Sequence, residues 1–86
     1  MKEIKFSQHA LLKIDMLKRH GIIIEEDFVK KAFEHPDKVE RGYKERLVAQ
    51  KKMSSDHVLR IVYEEYVDHI LIVTLYPGRR ERYEKD

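Results

Sequence analysis

The sequence predicts an α+β fold, with two N-terminal helices packed on one face of an antiparallel sheet of four strands, or five if the first segment joins. Three observations carry this expectation. Apolar residues recur at helical spacing as far as Pro36, alternate with a period of two after it, and the later segments are linked by short turns. A chain of 86 residues holds one domain, 1–86, with a small core.

Glu3–Phe6 alternates and reads as a short edge strand. Ser7 is a suitable N-cap for a helix whose apolar stripe is Ala10, Ile14 and Leu17, joined by Leu11. Lys18, Arg19 and His20 suit the negative end of its dipole, and Gly21 is the expected residue just past the end. Ile22–Ile24 crosses to a second helix opened by Glu25, Glu26 and Asp27, with Phe28, Val29, Ala32 and Phe33 facing the core. That helix should stop at His35, because a proline disfavours α geometry in the residue before it. Beyond Pro36, Lys38–Arg41, Arg46–Met53, His57–Glu64 and Asp68–Tyr76 read as strands, the last two being the strongest. Asp68–Tyr76 is apolar on both parities, which predicts a central strand or one covered on both faces.

Composition removes several function classes. No cysteine is present, so disulfides, thiolate metal sites and cysteine nucleophiles are excluded. The five histidines lack metal-ligand spacing, and no metal or other cofactor is expected. The longest apolar run, Ile70–Val73, is far short of the roughly 18 residues of a membrane span. Met1–Lys5 has no apolar signal region, so a cytoplasmic protein is expected.

The net charge of +2 is unevenly spread. Between Lys38 and Arg60, seven positive residues stand against Glu40, Glu45 and Asp56, a balance of +4 that leaves −2 for the remainder. Arg60 sits mid-strand in an apolar run and shares its parity with Val58, Val62 and Glu64. Lys51 and Lys52 on the preceding strand point to opposite faces, so one of them should lie near Arg60. Arg79, Arg80, Arg82 and Tyr83 follow the end of the last strand. Arginine, lysine and tyrosine on one face suit a phosphodiester, whose transition state gathers negative charge on the phosphoryl oxygens. Plainer roles are open to each: an ion pair from Arg60 to Glu64 or Glu45, edge-strand charges for the lysines, a solvated arginine tail, a core cap for Tyr83.

The element order and the ending Ile70–Glu84, with Val73-Thr74-Leu75-Tyr76-Pro77-Gly78-Arg79-Arg80 at its centre, resemble the RelE/ParE-type toxin superfamily. The likeness extends to His9-Ala10 in the first helix, Gly21-Ile22 at the helix break, Pro36-Asp37, and the strand Leu59-Arg60-Ile61-Val62-Tyr63-Glu64. It is nearest to a branch of small uncharacterised domains, and the tail Arg79–Glu84 is also similar to that of BrnT-type toxins. The resemblance implies a RelE-like fold and a metal-independent endoribonuclease that cleaves mRNA by 2′-hydroxyl attack. Arg60 then matches the phosphate-binding arginine, and Lys51 or Lys52 the basic residue beside the 2′-hydroxyl. Arg79 or Arg80 matches the arginine near the end of the last strand, and Tyr83 the C-terminal tyrosine. Glu64 is the carboxylate candidate for general base, with Arg46, Arg82, His9 and Lys13 as further RNA-binding candidates. The alternative is a non-catalytic effector of the same fold, as with ParE toxins that poison DNA gyrase, or a nucleic-acid-binding module. Either toxin reading implies an antitoxin, here expected to be acidic and amphipathic.

Overall fold

The computed structural model describes residues 2–84. Its elements are β1 (Glu3–Phe6), α1 (Gln8–Arg19), α2 (Glu26–Glu34), β2 (Lys38–Arg41), β3 (Leu47–Lys52), β4 (His57–Glu65), β5 (His69–Arg79) and α3 (Arg80–Tyr83). The fold is α+β, and the sheet runs in the order β1-β5-β4-β3-β2. No helix is long and apolar enough to cross a membrane among the described residues.

Local chemistry explains the helix ends. The Ser7 hydroxyl accepts a hydrogen bond from the Ala10 amide at 3.0 Å and donates one to the Val73 carbonyl at 2.8 Å. One side chain thus caps α1 and ties it to the sheet. Ser7→Ala should cost about 1–2 kcal/mol, read as a fall in the urea midpoint. An unchanged midpoint would mean that water replaces both bonds without loss. At the other end Gly21 has φ +84°, and the Ile22 and Gly21 amides return to the Leu17 and Lys18 carbonyls at 2.8 and 3.0 Å. This is the left-handed exit that favours glycine. Helix α2 ends at Glu34, ahead of Pro36, as expected.

The four strands β2–β5 form the expected antiparallel meander. The sheet departs from the expectation in one respect, because β1 pairs parallel with β5. A four-residue alternating segment carries no signal of polarity. Only Ser7 separates β1 from α1, and α1 packs on β5, so the polarity follows from where that helix seats. Strand β5 also runs through Pro77 and Gly78 to Arg79, with Pro77 opposite Leu59. Beyond β1 this stretch is an edge, where a proline is tolerated.

A bulge resolves the double apolar parity of β5. Val62 faces Thr74 while the next residue, Tyr63, faces Ile72, so Val73 is an extra residue. Ile72 and Leu75, of opposite parity in sequence, therefore both reach the helix-facing core with Leu59 and Ile61. Ala10 and Leu17 of α1, Ile24, and Val29 and Ala32 of α2 complete that core. Leu11, expected to join the stripe, instead faces solvent. Among the described residues the opposite face of the sheet, called the outer face below, carries no long helix and is crossed by the short α3.

Candidate functional site

Register builds the outer face. Arg60 on β4 stands between Gln50 on β3 and Tyr76 on β5, and Lys38 on β2 lies beside Gln50. Arg60 is only 7% exposed and Gln50 2%. The Arg60 Nε donates to the Tyr76 hydroxyl at 3.0 Å, and its Nη1 donates to Glu40 at 3.0 Å and to the Gln50 side-chain oxygen. The expected ion-pair partners of Arg60, Glu64 and Glu45, are replaced by Glu40, which also lies 3.4 Å from Lys38. Burial works against the charge of Arg60, but the bonds to Tyr76 and Glu40 more than offset it, so its pKa is raised.

Helix α3 covers this cluster. The Tyr83 ring lies over the guanidinium, 4.3 Å from Cζ to centroid, and 6.5 Å from the Tyr76 ring. Beneath it is Gly78, where a Cβ would come within 2.3 Å of the Tyr83 ring. The Tyr83 carbonyl accepts from Lys38 Nζ at 2.7 Å and from Gln50 Nε2 at 3.3 Å. Arg80 anchors the start of α3, its amide donating to the Asp56 carbonyl at 2.9 Å and its Nη1 to the Ser55 carbonyl at 3.0 Å. No buried side-chain polar atom lacks a partner among the described residues.

Of the residues that the sequence singled out, the structure brings Arg60 and Tyr83 together. Lys52 shares their face by register, opposite Val58, and is exposed. Lys51 does not join them: it pairs with Leu59 on the helix side, where its Nζ donates to the His35 carbonyl at 2.8 Å. Glu64 shares the parity of Arg60 but stands four residues along β4, about 13 Å away at strand spacing. It binds Arg46 at 3.1 Å and accepts from the Tyr66 hydroxyl at 2.9 Å. Those bonds, Arg46 first, hold its carboxyl below the usual range, which makes Glu64 a poor general base near neutrality. Arg79 takes the parity of His57, and with Arg80, Ser55, Asp56, Glu81 and Glu84 it lines an open cleft beside the cluster. Arg80 is spent on Glu84 and Ser55, and Arg82 reaches the Tyr83 ring at 5.4 Å. His9 and Lys13 belong to α1, in the helix layer on the other side of the sheet, so no single groove joins them to Arg60.

Lys38, Glu40, Gln50 and Gly78 are site residues that the sequence reasoning missed. The alternation Lys38-Val39-Glu40 put the two charges on one face, and Gln50 is a lone uncharged polar residue after Leu47-Val48-Ala49. Both signals needed the register to point at Arg60. Hydrogen bonding from Arg60, more than any other cause, holds the Glu40 carboxyl below its usual range. A depressed carboxylate pKa adds stability that is present above the unfolded-state value and lost as pH falls through the folded one. Wild type should therefore be more stable than Glu40→Gln near neutrality, the two converging as pH drops below the carboxylate range. Melting curves at several pH values check this, and a gap that persists in acid would remove the ionic origin.

No protein-family model, curated protein or solved structure matches the chain. The likeness to RelE/ParE-type toxins rests on its motifs alone.

Proposed function

We propose that this protein is an RNA-directed toxin of RelE/ParE type, a metal-independent endoribonuclease that works from the outer face of its sheet. The observation that carries the reading is Arg60, a cation buried in mid-sheet between Val58 and Val62. Packing alone would be served at least as well by an apolar residue there. A guanidinium offers bidentate binding of phosphoryl oxygens, and the Tyr76 ring 6.0 Å from it offers a surface for a base. In this reading the 2′-hydroxyl oxygen bonds to phosphorus and loses its proton to a base, while the bond from phosphorus to the 5′ oxygen breaks. That oxygen takes a proton, leaving a 2′,3′-cyclic phosphate and a 5′-hydroxyl. Glu40, within reach of Arg60, is held below the usual carboxylate range as Glu64 is and is an equally weak base, so the Tyr76 hydroxyl and Lys52 are the groups sharing the face that are left to move protons.

The second reading, a non-catalytic effector or nucleic-acid-binding module, is favoured by Lys51 and Glu64 lying away from Arg60 and by the Nε and Nη1 of the guanidinium already bonding Tyr76, Glu40 and Gln50. Inducible expression followed by mapping of RNA 5′ ends separates the two. The nuclease reading expects growth arrest and new 5′-hydroxyl ends, with cleavage by the purified protein persisting in EDTA. Growth arrest with intact RNA would replace it with the non-catalytic effector, and harmless expression would remove both toxin readings. The partner in either toxin reading is an acidic, amphipathic antitoxin segment, whose association rate should fall as salt is raised.

A further inference from the structure

Helix α3 covers polar groups with almost nothing apolar to hold it. It has no buried residue, no side-chain N-cap and only four residues, far below the length at which a helix is stable alone. Its attachments are polar or aromatic: the Arg80 bonds to the β3–β4 turn, the Tyr83 ring on Gly78 and Arg60, and the Tyr83 carbonyl. Under it lie the donors of Lys38, Gln50 and Arg60. The Tyr83 carbonyl oxygen takes hydrogen bonds from both Lys38 and Gln50, at 2.7 and 3.3 Å, and Gln50 in turn accepts from the guanidinium. An acceptor oxygen held by an ammonium and an amide next to an arginine occupies the place that a phosphoryl oxygen would take. A carbonyl is a neutral dipole, so an anionic oxygen would be the stronger acceptor for the same donors.

We infer that α3 is a built-in cap, and that RNA phosphate competes with the Tyr83 carbonyl for the cradle formed by Lys38, Gln50 and Arg60. The inference rests on the RNA-directed reading above and adds its regulation: the free chain holds its own site closed. The cap lifts about the Arg79–Arg80 junction, where β5 passes directly into α3. Affinity for RNA is reduced by the fraction of molecules in which the cap is closed.

Gly78→Ala tests this from beneath. The added Cβ meets the Tyr83 ring at 2.3 and 2.6 Å and displaces it without altering a cradle donor. The probe is a 2′-O-methyl oligoribonucleotide, which cannot be cleaved, read by fluorescence anisotropy. Amide hydrogen exchange on the full chain follows residues 80–84. The variant should exchange faster there with its sheet protection unchanged, and should bind the probe about tenfold or more tightly than wild type. Saturating probe should also speed exchange at 80–84 in wild type. Should Gly78→Ala disturb the sheet, Arg80→Ala loosens the cap from its other anchor and should shift affinity in the same direction despite losing a positive charge. Equal affinities with an opened cap would overturn the inference while leaving RNA binding intact. Failure of every form to bind the probe would overturn the RNA reading, and the cap's inhibitory role with it.

Discussion

Arg60→Ala should lower the melting temperature by about 10–20 °C, the expected consequence of losing roughly 2–3 kcal/mol in a domain of this size. The substitution leaves Gln50, 2% exposed, with its buried side-chain oxygen unpaired, and frees the Tyr76 hydroxyl. Glu40 keeps 44% of its side chain exposed and re-solvates, so the larger cost of orphaning a fully buried charge does not apply. Loss of the cation under the Tyr83 ring adds a contribution of about 1 kcal/mol or less. Activity lost in Arg60→Ala would therefore confuse folding with chemistry. Arg60→Met leaves the same Gln50 oxygen unpaired but fills most of the vacated space, so without the cavity its melting temperature should stay closer to wild type. An inactive Arg60→Met that still melts near the wild-type temperature would assign the guanidinium a functional role. A wild-type melting temperature for Arg60→Ala would show that the cluster contributes little to the fold.

Leu59→Ala should cost about 3–4 kcal/mol, a large share of the stability of a small domain. Leu59 is completely buried on β4, among the core residues beneath the two long helices. Its truncation removes transfer free energy and leaves a cavity that rigid strand neighbours cannot close. Urea denaturation should show the midpoint falling by about 2 M or more with little change in slope. Leu12→Ala is the control, because Leu12 is 62% exposed on α1 and should change stability by less than about 0.5 kcal/mol. A loss below 1 kcal/mol for Leu59→Ala would contradict the seating of the helices on this face.

The two substitutions probe the two faces of one strand. Leu59 and Arg60 are adjacent in sequence, yet one lies in an apolar core and the other in a closed polar cluster. That alternation is also why a single-residue slip of β4 would be ruinous, since it would place the cation in the core.

What the sequence determined by itself is what depends on near neighbours. The Ser7 cap, the left-handed Gly21, the stop before Pro36, and the strands from Lys38 onward were all legible, because each follows from residues within a turn or two. The placement of Arg60 on a face with Val58 and Val62 was legible too, from parity alone. Tertiary structure decided the rest. The polarity of β1 depends on where α1 seats, and the bulge at Val73 depends on which side of β5 must fill the core. Which lysine stands on the face of Arg60, and that Glu40 rather than Glu64 binds it, depends on register across three strands. The descent of Tyr83 onto Gly78 depends on a glycine whose missing side chain makes room for a ring. These are pairings between distant segments, and a periodicity read along one chain holds no information about the offset between two.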